Sequence, residues 1–381
     1  MTIALTARVA RGLEWVSADE IATRLPTGQM TLGRREVRFT LPELEPAVGA
    51  LRTVDDVFVR AGALDGVGRD RRAPSMVGEG VRRLDLTGAV ATVGAFRELP
   101  DRPAFDVVAS LDGDRRFNRY DLEDALGATL GPMIRGRYGS HRDGPPPPSD
   151  LTFRVAVAGE VAEITVRLAV RPLHRRPWKH DTGPATLHPP AAAALLRLIG
   201  PRMTVCDPFC GDGTIPIEAR LAANPVRAAG SDLDDRRVAN ARANASRAGV
   251  ALSWAMADAT RGPWRLGPDG AWVTHPPWNR AVHARGGATA SLVPAWVEGL
   301  RLLGPTGTLA VLVEDGGEVD PELGPAGWRT LLNQRTRLAG RVCRLVIAVP
   351  IDGPDRDPLS PTLRSWRWRA ADEGLVTESG F

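Results

Sequence analysis

Lysine and cysteine are scarce in this sequence. Lys179 is the only lysine among the 49 basic residues of the 381-residue chain, so arginine carries nearly all of the positive charge. The three cysteines, Cys206, Cys210 and Cys343, are too few and odd in number for a disulfide framework. We therefore expect a protein of a reducing compartment, the cytoplasm.

Long hydrophobic runs are also missing. No apolar stretch approaches the roughly 18 residues that a helix needs to cross a bilayer, so we expect no membrane contact. Aromatic residues make up only 5% of the chain, but 43% of it is hydrophobic and 25% is charged. This balance is typical of a globular protein, and the length suggests roughly two or three domains.

The net charge of +4 is small but concentrated in one part of the chain. Between residues 134 and 180, nine basic residues accompany four acidic ones, a surplus of five. Arginine binds phosphate and stacks on bases, which would suit RNA. A solvated surface explains the same stretch equally well, and GC-rich codons explain the abundance of arginine. Charge alone therefore leaves a nucleic-acid partner open.

The N-terminal part alternates short strand-like and helix-like segments. Apolar periodicity predicts strands at 2–9, 37–41 and 54–60, and helices at 14–24 and 44–51. This order is typical of a ferredoxin-like α+β domain, which we assign to residues 1–100. Residues 101–172 form a second unit, with strands predicted at 104–111, 151–157 and 162–170 and a helix at 119–130.

The C-terminal half has the pattern of an α/β domain. Residues 173–200 are predicted to be a linker and a lead-in helix, and residues 201–381 a Rossmann-like domain with a mainly parallel, seven-stranded sheet. Strands are predicted at 204–207, 228–232, 252–256, 271–274, 307–313 and 341–349, with a closing strand at 363–370. Helices are predicted at 214–223, 234–248, 291–303 and 328–338.

The strongest functional signal is the segment Val205-Cys-Asp-Pro-Phe-Cys-Gly-Asp-Gly-Thr214. A predicted strand ends at Asp207, a glycine-rich turn follows, and a helix begins near Thr214. Glycine lets the backbone approach a ligand closely, and a helix N-terminus favours negative charge. The segment lacks the Gly-Lys-Ser/Thr of a nucleotide phosphate loop and the glycine spacing of a dinucleotide site. It resembles the cofactor motif of S-adenosylmethionine-dependent methyltransferases.

Two further carboxylates stand where that cofactor needs them. Asp232 ends the second strand of the C-terminal half, where its carboxylate can accept hydrogen bonds from both ribose hydroxyls. Asp258 ends the third strand, where its carboxylate can accept a hydrogen bond from the adenine amine. Taken alone, each could be a helix cap. The predicted cofactor residues are Asp207, Phe209, Gly211, Gly213, Thr214, Asp232, Leu233, Asp258 and Ala259.

The fourth strand leads into His275-Pro-Pro-Trp-Asn-Arg280. Amino-methylating enzymes carry Asn/Asp-Pro-Pro-aromatic here, where an oxygen and a proline carbonyl orient a planar amine and the aromatic residue stacks on a flipped base. His275, Pro276 and Trp278 are therefore the predicted catalytic residues, with Trp278 and Arg280 contacting substrate. Because histidine titrates near neutrality, we expect a rate that rises with pH through that titration. A plain proline turn is the structural alternative.

No metal is predicted. Cys206 and Cys210 are spaced like half of a metal site, but no second pair exists. His174, His180 and His188 follow no ligand spacing. No serine or cysteine nucleophile stands in an elbow with a matching base.

The whole chain resembles RNA guanine methyltransferases that carry a THUMP domain. Besides the glycine-rich motif, five segments carry the resemblance: Arg11-Gly-Leu-Glu14, Ala50-Leu-Arg-Thr-Val-Asp-Asp-Val57, Tyr120-Asp-Leu-Glu-Asp-Ala-Leu-Gly127, Pro172-Leu-His-Arg-Arg-Pro-Trp178 and Leu187-His-Pro-Pro-Ala-Ala-Ala-Ala-Leu-Leu196. The resemblance implies that residues 101–172 are a THUMP-like RNA-binding domain. It implies an RNA substrate, tRNA first, and a guanosine methylated on its exocyclic amine. Arg175 and Arg176 of the basic stretch would then contact phosphates.

Two other functions stay open. Because His275 replaces the family's Asn/Asp, the chain could methylate a small nucleoside-like or natural-product metabolite, with His275 as a general base. A binding module without catalysis fits less well, since the cofactor motif is intact. The sequence carries no signal of the oligomeric state.

Overall fold

Two β-sheets organise the protein. The computed structural model describes residues 2–145, 148–222, 227–267, 269–279, 283–315, 322–354 and 359–376. Over these ranges, no helix has the length and apolar character required to span a membrane.

The first sheet has eight strands in the order β2-β3-β1-β4-β8-β7-β5-β6. They are β1 (Ile3–Arg8), β2 (Met30–Gly33), β3 (Glu36–Leu41), β4 (Asp56–Leu64), β5 (Ala104–Leu111), β6 (Arg137–Tyr138), β7 (Leu151–Ala158) and β8 (Val161–Arg167). Its helices are α1 (Glu14–Arg24), α2 (Ala73–Gly80), α3 (Leu86–Phe96) and α4 (Arg119–Ile134). Strands β4 and β8 pair across the predicted boundary between residues 100 and 101. Both N-terminal units therefore share one sheet, and the position of a domain boundary stays a prediction.

The second sheet has seven strands in the order β11-β10-β9-β12-β13-β15-β14. They are β9 (Thr204–Asp207), β10 (Arg227–Asp232), β11 (Ser253–Met256), β12 (Gly270–Thr274), β13 (Thr308–Glu314), β14 (Trp328–Leu338) and β15 (Arg341–Pro350). Its helices are α5 (Pro189–Ile199), α6 (Thr214–Leu221), α7 (Asp235–Arg247), α8 (Val293–Leu303) and α9 (Pro361–Asp372). Strands β9 to β13 run parallel and β15 runs antiparallel to both neighbours. The predicted Rossmann-like α/β fold is confirmed.

Three predicted elements are wrong. Residues 328–338 form strand β14 instead of a helix, because the alternating buried positions include the polar Gln334 and Thr336, which hide the strand period. Residues 363–370 belong to helix α9, which Ser360 caps by accepting from the Leu363 amide. Residues 44–51 contain only a short 3-10 turn, Pro46–Ala50.

A buried ion cluster joins the two sheets. Glu218 on α6 is fully buried and accepts hydrogen bonds from Nε of Arg52, at 2.7 Å, and from Nε of Arg176, at 2.8 Å. Arg52 belongs to the N-terminal part and Arg176 to the predicted linker. Buried charges are tolerated only when paired and hydrogen-bonded, so this carboxylate fixes three parts of the chain together.

Each guanidinium nitrogen of Arg176 already donates a hydrogen bond within the protein. Besides Glu218, its nitrogens donate to the carbonyls of Leu173, at 2.7 Å, and Arg52, at 2.6 Å, and only 9% of the residue is exposed. The predicted phosphate contact of Arg176 is therefore wrong, because tertiary ion pairing uses up the side chain.

We expect Glu218→Gln to lower the free energy of unfolding by about 3–5 kcal/mol, the usual effect of removing one charge from a buried ion pair. Denaturant unfolding followed by circular dichroism measures this loss. The matched control is Glu79→Gln, whose pair with Arg82 is exposed and should change stability by less than about 1 kcal/mol. Equal effects of the two substitutions would contradict a structural role for Glu218.

Candidate active site

A cavity of about 550 Å³ lies at the carboxyl ends of β9 to β12. Its volume is within the range of small-molecule sites, about 300–1,000 Å³. The strand order reverses between β9 and β12, and open α/β sheets bind ligands at such a point. Of the predicted site residues, the cavity is lined by Asp207, Phe209, Gly211, Thr214, Asp232, Leu233, Asp258, Ala259, His275, Pro276 and Trp278.

The remaining predicted residues are placed differently. Gly213 and Arg175 do not line the cavity, although Arg175 is exposed at the surface, and Arg176 is engaged with Glu218. Arg280 lies outside the described residues.

The glycine-rich turn owes its shape to two left-handed residues, Gly211 with φ 51° and Gly213 with φ 84°. A Cβ at Gly213 would lie 2.7 Å from the ring of Trp254 and 2.9 Å from Cβ of Ala241. Gly213 therefore permits close packing of the turn against β11 and α7 instead of touching a ligand. Gly211 contributes its amide, which donates to Oδ2 of Asp232 at 2.9 Å.

Asp207 couples the ends of two neighbouring strands. Its Oδ1 accepts from Oγ1 of Thr274, at 2.6 Å, and from the Phe209 amide, at 3.1 Å. Thr274 directly precedes His275, so the carboxylate also fixes the start of the His-Pro-Pro-Trp segment. Burial raises the pKa of Asp207 to about 7.

Asp232 and Asp258 differ in their electrostatics. Burial raises the pKa of Asp232, which accepts from the amides of Gly211 and Asp234. Burial also opposes ionisation of Asp258, but hydrogen bonds from Gly287 and Thr260 hold its pKa below the usual value. Three carboxylates at three strand ends fit S-adenosylmethionine, which offers an ammonium group, two ribose hydroxyls and an adenine amine.

His275 and Trp278 form a pair on the other side of the cavity. Their ring centroids are 4.9 Å apart in an edge-to-face arrangement. Nε2 of His275 and Nε1 of Trp278 are buried and have no hydrogen-bond partner among the described residues. Burial, aided by the charge of Lys179, lowers the pKa of His275 to about 4, so its imidazole is neutral at neutral pH. The expected titration near neutrality is therefore corrected.

Residues 183–188 form a covering segment beside the cavity, and 184–188 line it. This covering segment is held by residues that the sequence analysis missed. Asp212 accepts from the amide of Gly183 and from Nδ2 of Asn240, both at 3.0 Å, and pairs with Arg237 at 3.1 Å. Arg237 in turn donates to the carbonyl of Pro184 at 3.2 Å. The sequence did carry a signal for these contacts. Asp212 lies between the two glycines of the motif, and a charged side chain buried there needs hydrogen-bond or ionic partners.

Lys179 was also missed. Its ammonium donates to the carbonyl of Leu187 and, at 2.9 Å, to Oγ1 of Thr214. Burial lowers the pKa of Lys179 to about 8. The Lys179 side chain thus connects Leu187 of the covering segment to Thr214, the first residue of α6. In the sequence, the signal was that this is the only lysine.

The structure brings together two histidines that the sequence separates. The rings of His174 and His188 lie 5.3 Å apart beside Asp55, and one ligand atom from each of these three residues lies within 4.8 Å of the others. Burial and the neighbouring His174, Lys179 and Arg176 lower the pKa of His188 to about 3. Positive surroundings oppose a bound cation. That the protein uses no metal stays a prediction.

Comparisons with known proteins agree with this geometry. The model of the RMKL-like methyltransferase domain matches residues 176–331. The tRNA (guanine(6)-N2)-methyltransferase of Thermus thermophilus is 31% identical over 259 residues, which are 66% of this chain and 70% of that protein. Ribosomal RNA large subunit methyltransferase K/L of Magnetococcus marinus is 28% identical over 162 residues, 38% of this chain and 22% of the relative.

Solved structures extend the likeness to nearly the full length. TrmN from Thermus thermophilus has a TM-score of 0.70 at 25% identity, with 91% of this chain and 99% of that chain covered. SMU.472, complexed with SAH (S-adenosylhomocysteine), has a TM-score of 0.69 at 17% identity, with 93% and 99% covered. The second likeness concerns the fold alone.

We expect the affinity for S-adenosylhomocysteine to fall as the pH drops below about 7, the raised pKa of Asp207. If Asp207 faces the ligand's ammonium group, only the ionised carboxylate attracts it, so affinity should be full above this pKa and fall by up to about tenfold per pH unit below it. Calorimetric titrations at several pH values measure this.

The Asp207→Asn variant should bind more weakly at high pH and lose the pH dependence. Asp112→Asn, which removes an exposed carboxylate outside the cavity, is the control and should keep the wild-type profile. A pH dependence that persists in Asp207→Asn would assign the titration to another group.

Proposed function

Because the chain belongs to the family of RMKL-like, S-adenosylmethionine-dependent RNA methyltransferases, we propose that it methylates the exocyclic amine of a guanosine in tRNA. The relative from Thermus thermophilus is by name a tRNA guanine-N2 methyltransferase. The observation that carries the proposal is the buried, neutral and unpartnered Nε2 of His275 beside Trp278. An acceptor and a flat aromatic surface side by side suit a planar base that carries an amine.

The cofactor residues would divide the work by chemistry. When bound, S-adenosylmethionine supplies a methyl group on a positively charged sulfur. Asp232 would accept hydrogen bonds from the ribose hydroxyls, and Asp258 would accept one from the adenine amine. Asp207 would face the ammonium group. Leu233, an apolar side chain left 41% exposed at the cavity, would cover the adenine ring.

His275 would orient the amine and take up its proton. With the proton of the neutral ring on Nδ1, Nε2 accepts one N–H of the guanine amine, and the carbonyl of Pro276 accepts the other. These two acceptors would direct the lone pair of the amine nitrogen toward the methyl group that the cofactor would supply. The nitrogen then releases one proton to Nε2, and His275 passes it to solvent. A neutral imidazole is ready for this step without first losing a proton.

The RNA-binding part of the proposal rests on the N-terminal half. Residues 101–172 would form a THUMP-like unit that holds tRNA, and the exposed Arg175 remains available for a phosphate contact. With a tRNA substrate, the protein would act in the cytoplasm. The two curated relatives described above are named for tRNA and ribosomal RNA, so the small-molecule alternative is not favoured.

We expect His275→Ala to reduce the methylation rate of bulk tRNA by about 100-fold or more, since both an acceptor and a base are lost. His275→Asn restores a carboxamide acceptor and should retain more activity. Because the pKa of His275 is about 4, its contribution should stay constant across neutral pH and fall only as the pH approaches this value. Transfer of a labelled methyl group at several pH values measures both effects.

Unchanged affinity for S-adenosylhomocysteine in both His275 variants would show that the cavity is intact. A His275→Ala enzyme as fast as wild type would reduce His275 to a structural residue of a proline turn. Label appearing in a metabolite extract instead of tRNA would overturn the RNA substrate.

We expect Trp278→Ala to weaken tRNA binding by about 1–3 kcal/mol, the range for one lost base–aromatic stack. Trp278→Phe keeps an aromatic face and should lose less. Trp368→Ala, which removes an indole that is 65% exposed on α9, is the control and should bind like wild type. Loss of cofactor binding or a large fall in melting temperature in both Trp278 variants would mark Trp278 as a core residue.

A further inference from the structure

Two β-hairpins, one from each sheet, carry arginines at or beside their turns. The two-residue turn between β2 and β3 consists of Arg34 and Arg35, both exposed. Arg35 has φ 64°, a conformation for which such turns normally use glycine or asparagine. The sequence therefore keeps arginine in a turn where the backbone favours other residues.

The second hairpin reaches the active site. Strands β14 and β15 are joined by Ala339 and Gly340, with Arg337 exposed just before the turn. Leu338, Ala339 and Arg341 of this hairpin line the cavity. Arg337 directly precedes the cavity-lining Leu338, so it lies beside the cavity.

Backbone contacts join the two hairpins through Arg11. The carbonyl of Arg11 accepts from the amide of Arg337, at 3.0 Å, and from Oγ1 of Thr336, at 2.9 Å. The buried carboxylate of Glu14 accepts from the amide of Arg35, at 2.9 Å, and from the amide of Gly12, at 2.7 Å. Both contacts place the arginines in one fixed surface.

Acidic groups balance only part of the charge on this surface, since Glu14 lies near Arg11 and Asp55 lies near Arg35. Within the described ranges, no ion pair is recorded for the side chains of Arg34, Arg35 or Arg337. Burial and then the charges of Arg34 and Arg337 lower the pKa of Arg11, while Glu14 acts in the opposite direction, so the three arginines lie near one another. Clustered cations of this kind are stabilised by an anionic partner.

The basic stretch found in the sequence is different. Arg142 pairs with Asp121 and Asp124, and Arg167 pairs with Asp56. With Arg176, three of the nine basic residues in this stretch are thus already in ion pairs, which leaves less positive charge for a phosphate.

We propose that Arg11, Arg34, Arg35 and Arg337 form an arginine track that binds the RNA backbone and leads the target nucleotide into the cavity. The proposal rests on the proposed function and names the surface that the substrate uses. An acidic protein could also pair with these arginines, but it has no nucleotide base that could enter the cavity beside the track.

The test uses the full-length Arg34→Gln/Arg337→Gln variant and bulk tRNA. If both side chains contact phosphates, the slope of log affinity against log salt should fall by about 1.4–1.8, at roughly 0.7–0.9 per contact, and affinity at 0.1 M salt should fall at least about tenfold. Filter binding over a series of salt concentrations measures both. Because none of the four track residues lines the cavity, affinity for S-adenosylhomocysteine reports whether the variant is folded.

Arg71→Gln/Arg83→Gln is the matched control, because it removes the same charge from two exposed arginines. Arg83 lies between Gly80 and Leu84, which pack against Leu64 and Gly62 of β4. This end of β4 is roughly 26 Å along the strand from Asp56, which pairs with Arg8 near the track. The control should keep the wild-type slope. Arg34→Gln alone, a change in an exposed turn, serves if the double variant does not fold.

Two outcomes separate this proposal from the one on which it rests. If wild-type protein methylates tRNA but the track variants bind with the slope of the control, the arginine track is wrong and the proposed function stands. If wild-type protein neither binds nor methylates tRNA, the proposed function itself fails, and the track falls with it.

Discussion

The geometry of the molecule depends on one buried carboxylate. Glu218 lies on α6, the helix that begins at the glycine-rich turn, and it holds Arg52 of the N-terminal part and Arg176 of the connecting segment. Because a buried charge without its partners is costly, the two sheets are held in one relative orientation. The helix that shapes the cofactor site thus also sets where the N-terminal half stands.

Carboxylates also hold separate parts of the chain together inside the cavity. Asp207 fixes Thr274, the residue before His275, while Asp232 fixes the amide of Gly211. Carboxylates that would contact a ligand therefore also hold the loops around it. Cofactor binding and substrate positioning share these groups, so a change at one strand end is felt at the next.

The sequence allowed prediction of the parts that local patterns determine. Asp207, Gly211, Asp232 and Asp258 line the cavity because each follows a short apolar strand in a parallel sheet, and their role toward a cofactor stays a prediction. Strand β14 was missed because Gln334 and Thr336 are polar and yet fully buried. The low pKa of His275 and the pairing of Arg176 depend on burial, which distant residues create. The contact between Arg11 and Arg337 joins residues far apart in sequence, and no local pattern indicates it.

The enclosed ammonium group of Lys179 has a practical consequence. Because this is the only lysine, acylating reagents and amine cross-linkers find no side-chain target other than Lys179. That amine is buried and donates to the carbonyl of Leu187 and the hydroxyl of Thr214, so we expect a reagent to reach it slowly. The rate of its chemical labelling therefore reports the accessibility of this one amine, without background from other lysines.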